Sequence, residues 1–227
     1  MPLINPTPRH LRRAFTLIEL LTVIAIIGIL AAIIIPVVGK VRDSARKTQC
    51  VSNLRQIGSS MRLYANENRG NFPPMSPPLA GGGTGTWVDA IFPYLATRAP
   101  NALGAVPSGA LLGTVFICPK GTDPSPNNNT YGYNEGLPRQ GAAFDTQPKT
   151  INTVDSPGQT MLALDYNQRR FQLTNNNKIS ASATRHDGTL NLVFVDGHVG
   201  SMTESAFSTI YLAGQNDTKF RSLFLGR

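Results

Sequence analysis

The apolar pattern of this chain changes twice, and those changes divide the sequence. From Phe15 to Val38 about 24 residues run apolar on every side, interrupted by one charge, Glu19, and by Thr16 and Thr22. As a helix rising about 1.5 Å per residue, such a run crosses a hydrocarbon core of roughly 30 Å. Beyond it, Val37, Val41, Ala45, Cys50, Leu54, Ile57, Met61, Tyr64 and Ala65 form a single stripe at steps of mostly three or four, the mark of a helix with one buried face. The two patterns join into one predicted helix from Phe15 to about Asn66, on the order of 75 Å long. Pro36 removes one of its internal hydrogen bonds and is expected to kink or loosen it.

After Arg69 the period changes again. "GNFPPMSPPLAGGGTGT" reads as turn and loop, "WVDAIFPYLA" as a short amphipathic helix ending near Pro93 or Ala96, and "NALGAVPSGALLG" as another loop. "TVFICP", "TMLALDY", "RFQLT" and "TLNLVFVDGHVGSMT" read as short strands, with "KGTDPSPNNNTYGYNEG" as a turn-rich connection. In the last of these runs Leu190, Leu192 and Phe194 are expected on one face, and Asn191, Val193 and Val195 on the other. The pairs Asp187-Gly188 and Asp196-Gly197 suit hairpin turns and suggest a three-strand meander. The expectation is an α+β fold, a long N-terminal helix laid on a small antiparallel sheet with long loops. Its segments are a basic leader at 1–14, a membrane or assembly helix at 15–38, an amphipathic continuation at 39–69 and a β-rich globular domain at 70–227.

Charge changes this picture little. The chain of 227 residues carries a formal +8, but the excess is concentrated in Arg9, Arg12 and Arg13 and in the stretch from Lys40 to Arg69. Arg55, Arg62 and Arg69 recur every seven residues with no aromatics interleaved to stack bases, so they read as a solvated helix face and nucleic acid is not an expected partner. Basic residues flank the apolar run on both sides, which leaves orientation unassigned by charge.

Candidate chemistry is sparse. The two cysteines, Cys50 and Cys118, sit in no zinc or redox spacing, and they read either as one disulfide of an exported domain or as two buried thiols. His186, Asp187, Asp196 and His198 cluster in sequence, yet the strand between the two turns separates them by roughly 20 Å. They read as packing and turn residues, with no metal expected. Neither "GGGTGT" nor any serine or cysteine context forms a phosphate loop or a nucleophile elbow. Nothing proposes an enzyme or a cofactor.

Arg13, Ala14, Phe15, Thr16, Leu17, Ile18 and Glu19, followed by the apolar span, resemble the class III signal of type IV pilins and type II secretion pseudopilins. "CVSNLRQIGSSMRLYANENRGNFP", "VFICP", "TYGYN" and His186 placed nine residues before Asp196-Gly197 resemble the large pseudopilin-like proteins that carry a C-terminal H-X9-DG element. The resemblance implies a pilin-like fold and cleavage by a prepilin peptidase between Ala14 and Phe15, where the family usually has glycine at the last leader position. It also implies methylation of the Phe15 amine by the same enzyme. Partners would be other pilin or pseudopilin subunits, a secretion or pilus assembly platform, and membrane lipid before assembly. Glu19 would meet the Phe15 ammonium of a neighbouring subunit, and Pro36 falls where these helices commonly kink. The implied location is the bacterial inner membrane, as a single-pass protein with its C-terminal domain exported, and then a periplasmic or surface filament. The competing expectation is a membrane-tethered binding protein that recognises a glycan or a secreted substrate through its loops between Phe72 and Arg139, where Trp87, Tyr94, Tyr131 and Tyr133 lie.

Overall fold

The computed structural model describes residues 16–79, 82–95, 115–120, 130–137, 150–166, 170–171, 185–213 and 217–226. Helix α1 runs from Leu17 to Glu67 with Pro36 inside it. It begins on a reciprocal cap. The Thr16 carbonyl accepts the first helical hydrogen bond, from Leu20. The Glu19 carboxylate accepts from the Thr16 backbone N–H at 2.9 Å and from the Thr16 hydroxyl at 2.7 Å, while the Glu19 N–H donates back to the Thr16 hydroxyl oxygen at 3.3 Å. This is the Thr-x-x-Glu capping box, which satisfies two otherwise orphaned donors at a helix start.

The chain divides into two compact units, residues 1–44 and 45–227. In the first, the large apolar residues of α1 are exposed. The second holds the core. Strands β1 (Tyr131–Asn134), β2 (Met161–Asp165), β4 (Thr189–Phe194) and β5 (Val199–Thr203) form an antiparallel sheet. The two-residue β3 (Arg170–Phe171) lies parallel to β1, giving the order β3-β1-β2-β4-β5. Helix α2 (Trp87–Ile91) starts on a Thr86–Asp89 capping box and tightens into a short 3-10 turn at Phe92–Tyr94. Helices α3 (Glu204–Ala213) and α4 (Thr218–Phe220) close the C-terminal end.

Strands β1, β2 and β4 are buried on both faces while the edge strand β5 is partly exposed, and alternation decides which residue goes where. Val193, Val195, Tyr131 and Tyr133 join Cys50, Leu54, Ile57 and Met61 of α1 in one core cluster, with Trp87, Ile91 and Phe116. Leu190, Leu192 and Phe194 point the other way, into a second cluster with Phe171, Phe207, Phe220 and Phe224. Gly58 marks the closest approach of helix to sheet: a Cβ there would lie 2.5 Å from Cγ2 of Val193.

Four expectations are corrected. The one-sided stripe does not begin at Val37: Val37, Val41 and Ala45 are exposed, and the buried face of α1 starts at Cys50. "VFICP" is not a strand, because residues 115–120 form turns that are anchored by the Thr130 N–H donating to the Phe116 carbonyl at 2.9 Å and by the Cys118 N–H donating to the Thr130 hydroxyl. "TYGYN" supplies β1 instead of a turn-rich connection. Among the loop aromatics considered for ligand binding, Trp87 lies in α2, and Tyr131 and Tyr133 in β1, all three buried. The first strand of the expected meander, the run from 183 to the Asp187-Gly188 turn, lies partly outside the described residues, and its described part, 185–186, is a turn and an isolated bridge; the loop at 96–114, Arg139, and the "QLT" of "RFQLT" lie outside them.

Candidate functional site

Two places gather the residues singled out in the sequence. One is the start of α1. Glu19 is exposed there and satisfied locally by Thr16. Ala14 and Phe15, the expected cleavage and methylation residues, lie outside the described residues.

The other is the C-terminal histidine element, whose ends bracket β4. At the first end, Asp187 and Gly188 take positive φ angles of 57° and 76°, and the Thr189 N–H donates to the His186 carbonyl at 3.2 Å. This tight turn drives the His186 side chain inward to full burial. At the other end, Gly197 adopts φ 94°, and a Cβ there would sit 2.9 Å from Nη1 of Arg62. Only glycine suits that conformation and that space. The Arg62 guanidinium, from α1, donates to the Asp196 carbonyl.

His198 does not meet His186. It is half-exposed, with its Nδ1 2.7 Å from Oδ1 of Asp196 and its ring stacked on Phe194 at 4.3 Å. Burial nudges the Asp196 carboxyl upward, but hydrogen bonds from the His198 backbone and ring, with the charges of His198 and Arg62, leave it below its ordinary value. The nine-residue spacing therefore has a geometric meaning. It spans β4 and fixes the strand to α1 at two points, beside Cys50 and at Arg62. Twelve residues of helix cover about 18 Å, close to the length of the strand between the two turns.

The buried end is chemically denser. Cys50, in α1, and Cys118 are joined by a disulfide. Nε2 of His186 lies 3.5 Å from Sγ of Cys118 and 3.3 Å from Oδ2 of Asp165, with both side chains fully buried. The same Asp165 oxygen accepts from Asn191, at 3.1 Å from its backbone N–H and 2.6 Å from its side-chain amide. Tyr131 donates to the Cys50 carbonyl at 3.4 Å. Burial, then the charge of Asp165, pushes the Tyr131 phenol well above its ordinary value. Burial draws the Arg185 guanidinium below its ordinary value, and the Asp165 charge opposes this. Nη1 of Arg185 donates to the Thr130 carbonyl at 3.0 Å. Three buried atoms have no hydrogen-bond partner among the described residues: Oδ1 of Asp165, Nδ1 of His186 and Nε of Arg185.

Sequence reasoning did not single out Asp165. The available signal was a carboxylate ending the otherwise apolar run "MLALD", on the face that turns toward α1. It also passed over the capping role of Glu19, although Thr16 stands three residues before it.

Two family models match parts of the chain. Residues 9–35 match the prokaryotic N-terminal methylation motif, and residues 39–163, more than half of the chain, match the family described as a protein of unknown function (DUF1559). The type II secretion system core protein G of Pseudomonas aeruginosa is 35% identical over 60 residues, covering 26% of this chain and 42% of the relative. The protein of the same name from Klebsiella michiganensis gives the same figures. The type IV major pilin protein PilA of Myxococcus xanthus is 42% identical over 60 residues, 26% of each chain. The chain thus spans between about a quarter and just over half the length of the curated relatives it matches. No solved structure matches it.

Proposed function

The chain belongs to the DUF1559 family, and from that membership, its methylation motif and its pilin and pseudopilin relatives we propose that it is a structural subunit of a type IV pilus or type II secretion pseudopilus. The observation that carries this reading is the apolar surface of α1 up to Val41. Its large apolar side chains are 46% to 80% exposed. Water is a poor solvent for such a surface, whereas lipid and neighbouring helices of the same kind are good ones. The protein acts by packing rather than by catalysis.

In this reading a prepilin peptidase cuts between Ala14 and Phe15 and methylates Phe15, leaving the chain anchored in the bacterial inner membrane with its globular domain exported. The Cys50–Cys118 disulfide suits an oxidising compartment and supports export. Assembly then exchanges lipid for other pilin or pseudopilin helices on an assembly platform, and Pro36 lets the helix bend as it packs. Glu19 has two successive roles. In the separate chain its carboxylate caps α1 through Thr16. In the filament it faces the methylated ammonium of a neighbour, an attraction that strengthens as the surroundings become apolar and that leaves a costly lone charge when register is wrong.

Glutamine separates these roles, since it serves a capping box but carries no charge. A Glu19→Gln chain is expected to insert and to keep its helix, yet to enter filaments at a small fraction of the wild-type level. Wild-type incorporation of that chain into purified filaments would sink the charge-pairing role. Mass spectrometry of the mature protein tests processing: any terminus other than methylated Phe15 defeats the prepilin reading. Of the four aromatics named for the tethered-binder alternative, Trp87, Tyr131 and Tyr133 are buried and Tyr94 alone keeps some exposure. Crosslinking along α1 distinguishes that alternative, since a simple anchor gives no ordered subunit ladder.

A further inference from the structure

We propose that, when the Cys50–Cys118 bond is open, the two cysteines, His186 and Asp165 form a four-coordinate site for a divalent cation of zinc type. The disulfide and the metal-bound form would then be two exclusive states of one buried centre. The inference does not depend on filament assembly.

The donor set comes from four separate parts of the fold: α1, the turn at 115–120, the end of β2 and the turn before β4. All four residues are buried, and the ligand atoms of Cys50, Cys118 and His186 lie within 4.8 Å of one another. Two thiolates, an imidazole and a carboxylate suit a borderline-soft ion in a closed tetrahedral site. With Zn–S bonds of about 2.3 Å and Zn–N or Zn–O bonds of about 2.0–2.1 Å, tetrahedral edges are about 3.5 Å for S···N and about 3.3 Å for N···O. The observed Cys118 Sγ to His186 Nε2 distance is 3.5 Å, and the His186 Nε2 to Asp165 Oδ2 distance is 3.3 Å. Those two contacts already have edge length, but Asp165 is not among the ligand atoms that lie within 4.8 Å of one another, so its carboxylate must shift toward the sulfurs to close the site. The S···S edge, about 3.8 Å in such a site, opens only when the covalent bond breaks.

Unmet polar capacity points the same way. Oδ1 of Asp165 and Nδ1 of His186 are buried without partners among the described residues, an arrangement that costs free energy unless some group answers it. A cation held by Oδ2 and Nε2 draws negative charge from Asp165 and lessens the cost at Oδ1, while Nδ1 of His186, then the protonated ring nitrogen, still requires an acceptor. Charge also balances. Two thiolates neutralise a divalent ion, and Asp165 stands opposite Arg185, whose guanidinium feels its charge. The interior is then no more charged in the metal state than in the disulfide state.

The chemistry closes. A phosphine reductant breaks the S–S bond and leaves as its oxide, with oxygen from water, delivering two electrons and two protons to give two thiols. Binding the cation releases those two protons as the thiols become thiolates. A chain that binds the ion before its cysteines oxidise is protected from oxidation.

The test uses the full chain in detergent, with cobalt(II) alone as the optical probe and zinc(II) alone for stoichiometry. Phosphine-reduced protein is expected to bind one zinc per chain and to give, with cobalt, thiolate charge-transfer and tetrahedral d–d bands, while the oxidised protein gives neither. His186→Gln and Asp165→Asn in the reduced state should each weaken zinc binding by at least about tenfold. Near-ultraviolet circular dichroism of the same samples reports the fold. Reduced, folded wild-type protein with no tetrahedral cobalt spectrum would overturn the proposal. So would a fold lost on reduction that neither ion restores, or zinc affinity unchanged in both variants.

Discussion

Helix α1 carries two stretches that are both rich in apolar residues and yet behave oppositely. From Leu17 to Val41 its large side chains stand exposed, while Cys50, Leu54, Ile57, Met61 and Ala65 are completely buried. Both hydrophobic content, far higher in the first stretch, and arrangement separate them. The first stretch is apolar all round and has no partner among the described residues, as expected of a helix solvated by lipid or by other helices. The second gathers most of its apolar residues, Leu63 apart, into one stripe, and that stripe is covered by the globular part of the same chain. An all-round pattern announces a partner outside the chain, and a stripe announces one inside it.

The contrast can be tested at four points of decreasing expected effect. The largest is the covalent tie of the second stretch. Replacing both Cys50 and Cys118 by serine frees a loop with a sequence separation of 68, which should lower the stability of the globular unit by about 4 kcal/mol on chain-entropy grounds. Urea unfolding of the full chain in detergent measures it, and membrane insertion should be unaffected.

Truncating one isoleucine in each stretch comes next. Ile57→Ala should cost about 3 kcal/mol in the same assay, from lost burial plus a cavity. Ile24→Ala, in the exposed stretch, should change that stability by less than about 0.5 kcal/mol. Equal effects would erase the distinction between the stretches.

Glycine provides the third comparison. Gly58→Ala raises intrinsic helix propensity but forces its Cβ against Val193, a stiff β-branched neighbour. It should therefore destabilise by about 1–2 kcal/mol. A Cβ at Gly28 meets nothing within 4 Å, so Gly28→Ala should insert at wild-type levels and leave the globular unit unchanged by the same measurement.

The smallest effect lies at the C-terminal end of α1. The Tyr94 hydroxyl donates to Glu67 at 2.6 Å, and that bond, with partial burial and the Glu67 charge, lifts the phenol to about 12. A phenol raised in the folded state stabilises fully below its unfolded value of about 10. The contribution disappears as pH climbs from there through about 12. Because the site is largely open to solvent, the effect should be under about 1 kcal/mol. Tyr94→Phe should flatten the decline of stability over that alkaline window, and an unchanged slope would remove Tyr94 from the account.

Much of the fold was legible because its signals are local. The switch from an all-round to a one-sided pattern placed α1, and period-two alternation sorted Leu190, Leu192 and Phe194 from Val193 and Val195. The Thr16–Glu19 cap was equally local, a threonine three residues before a glutamate, but the apolar surroundings drew attention to the charge instead of the cap. "VFICP" failed as a strand because β-branched and aromatic residues suit any buried extended segment. Here Cys118 and Thr130 hold the backbone in turns. "TYGYN" failed the other way: asparagines and glycines around it mask a strand whose tyrosines face α1.

The sequence by itself determined that this chain has a membrane-competent helix, that the later part of that helix needs a partner in the same chain, and which faces its strands turn inward. These follow from side-chain periodicity, which neighbouring residues set. Tertiary structure alone decided that Cys50, Cys118, Asp165 and His186 converge, and that nine residues between a histidine and Asp196-Gly197 measure out one strand lying against one helix. Such pairings depend on strand register and loop closure across as many as 136 positions, from Cys50 to His186, and no local pattern encodes them.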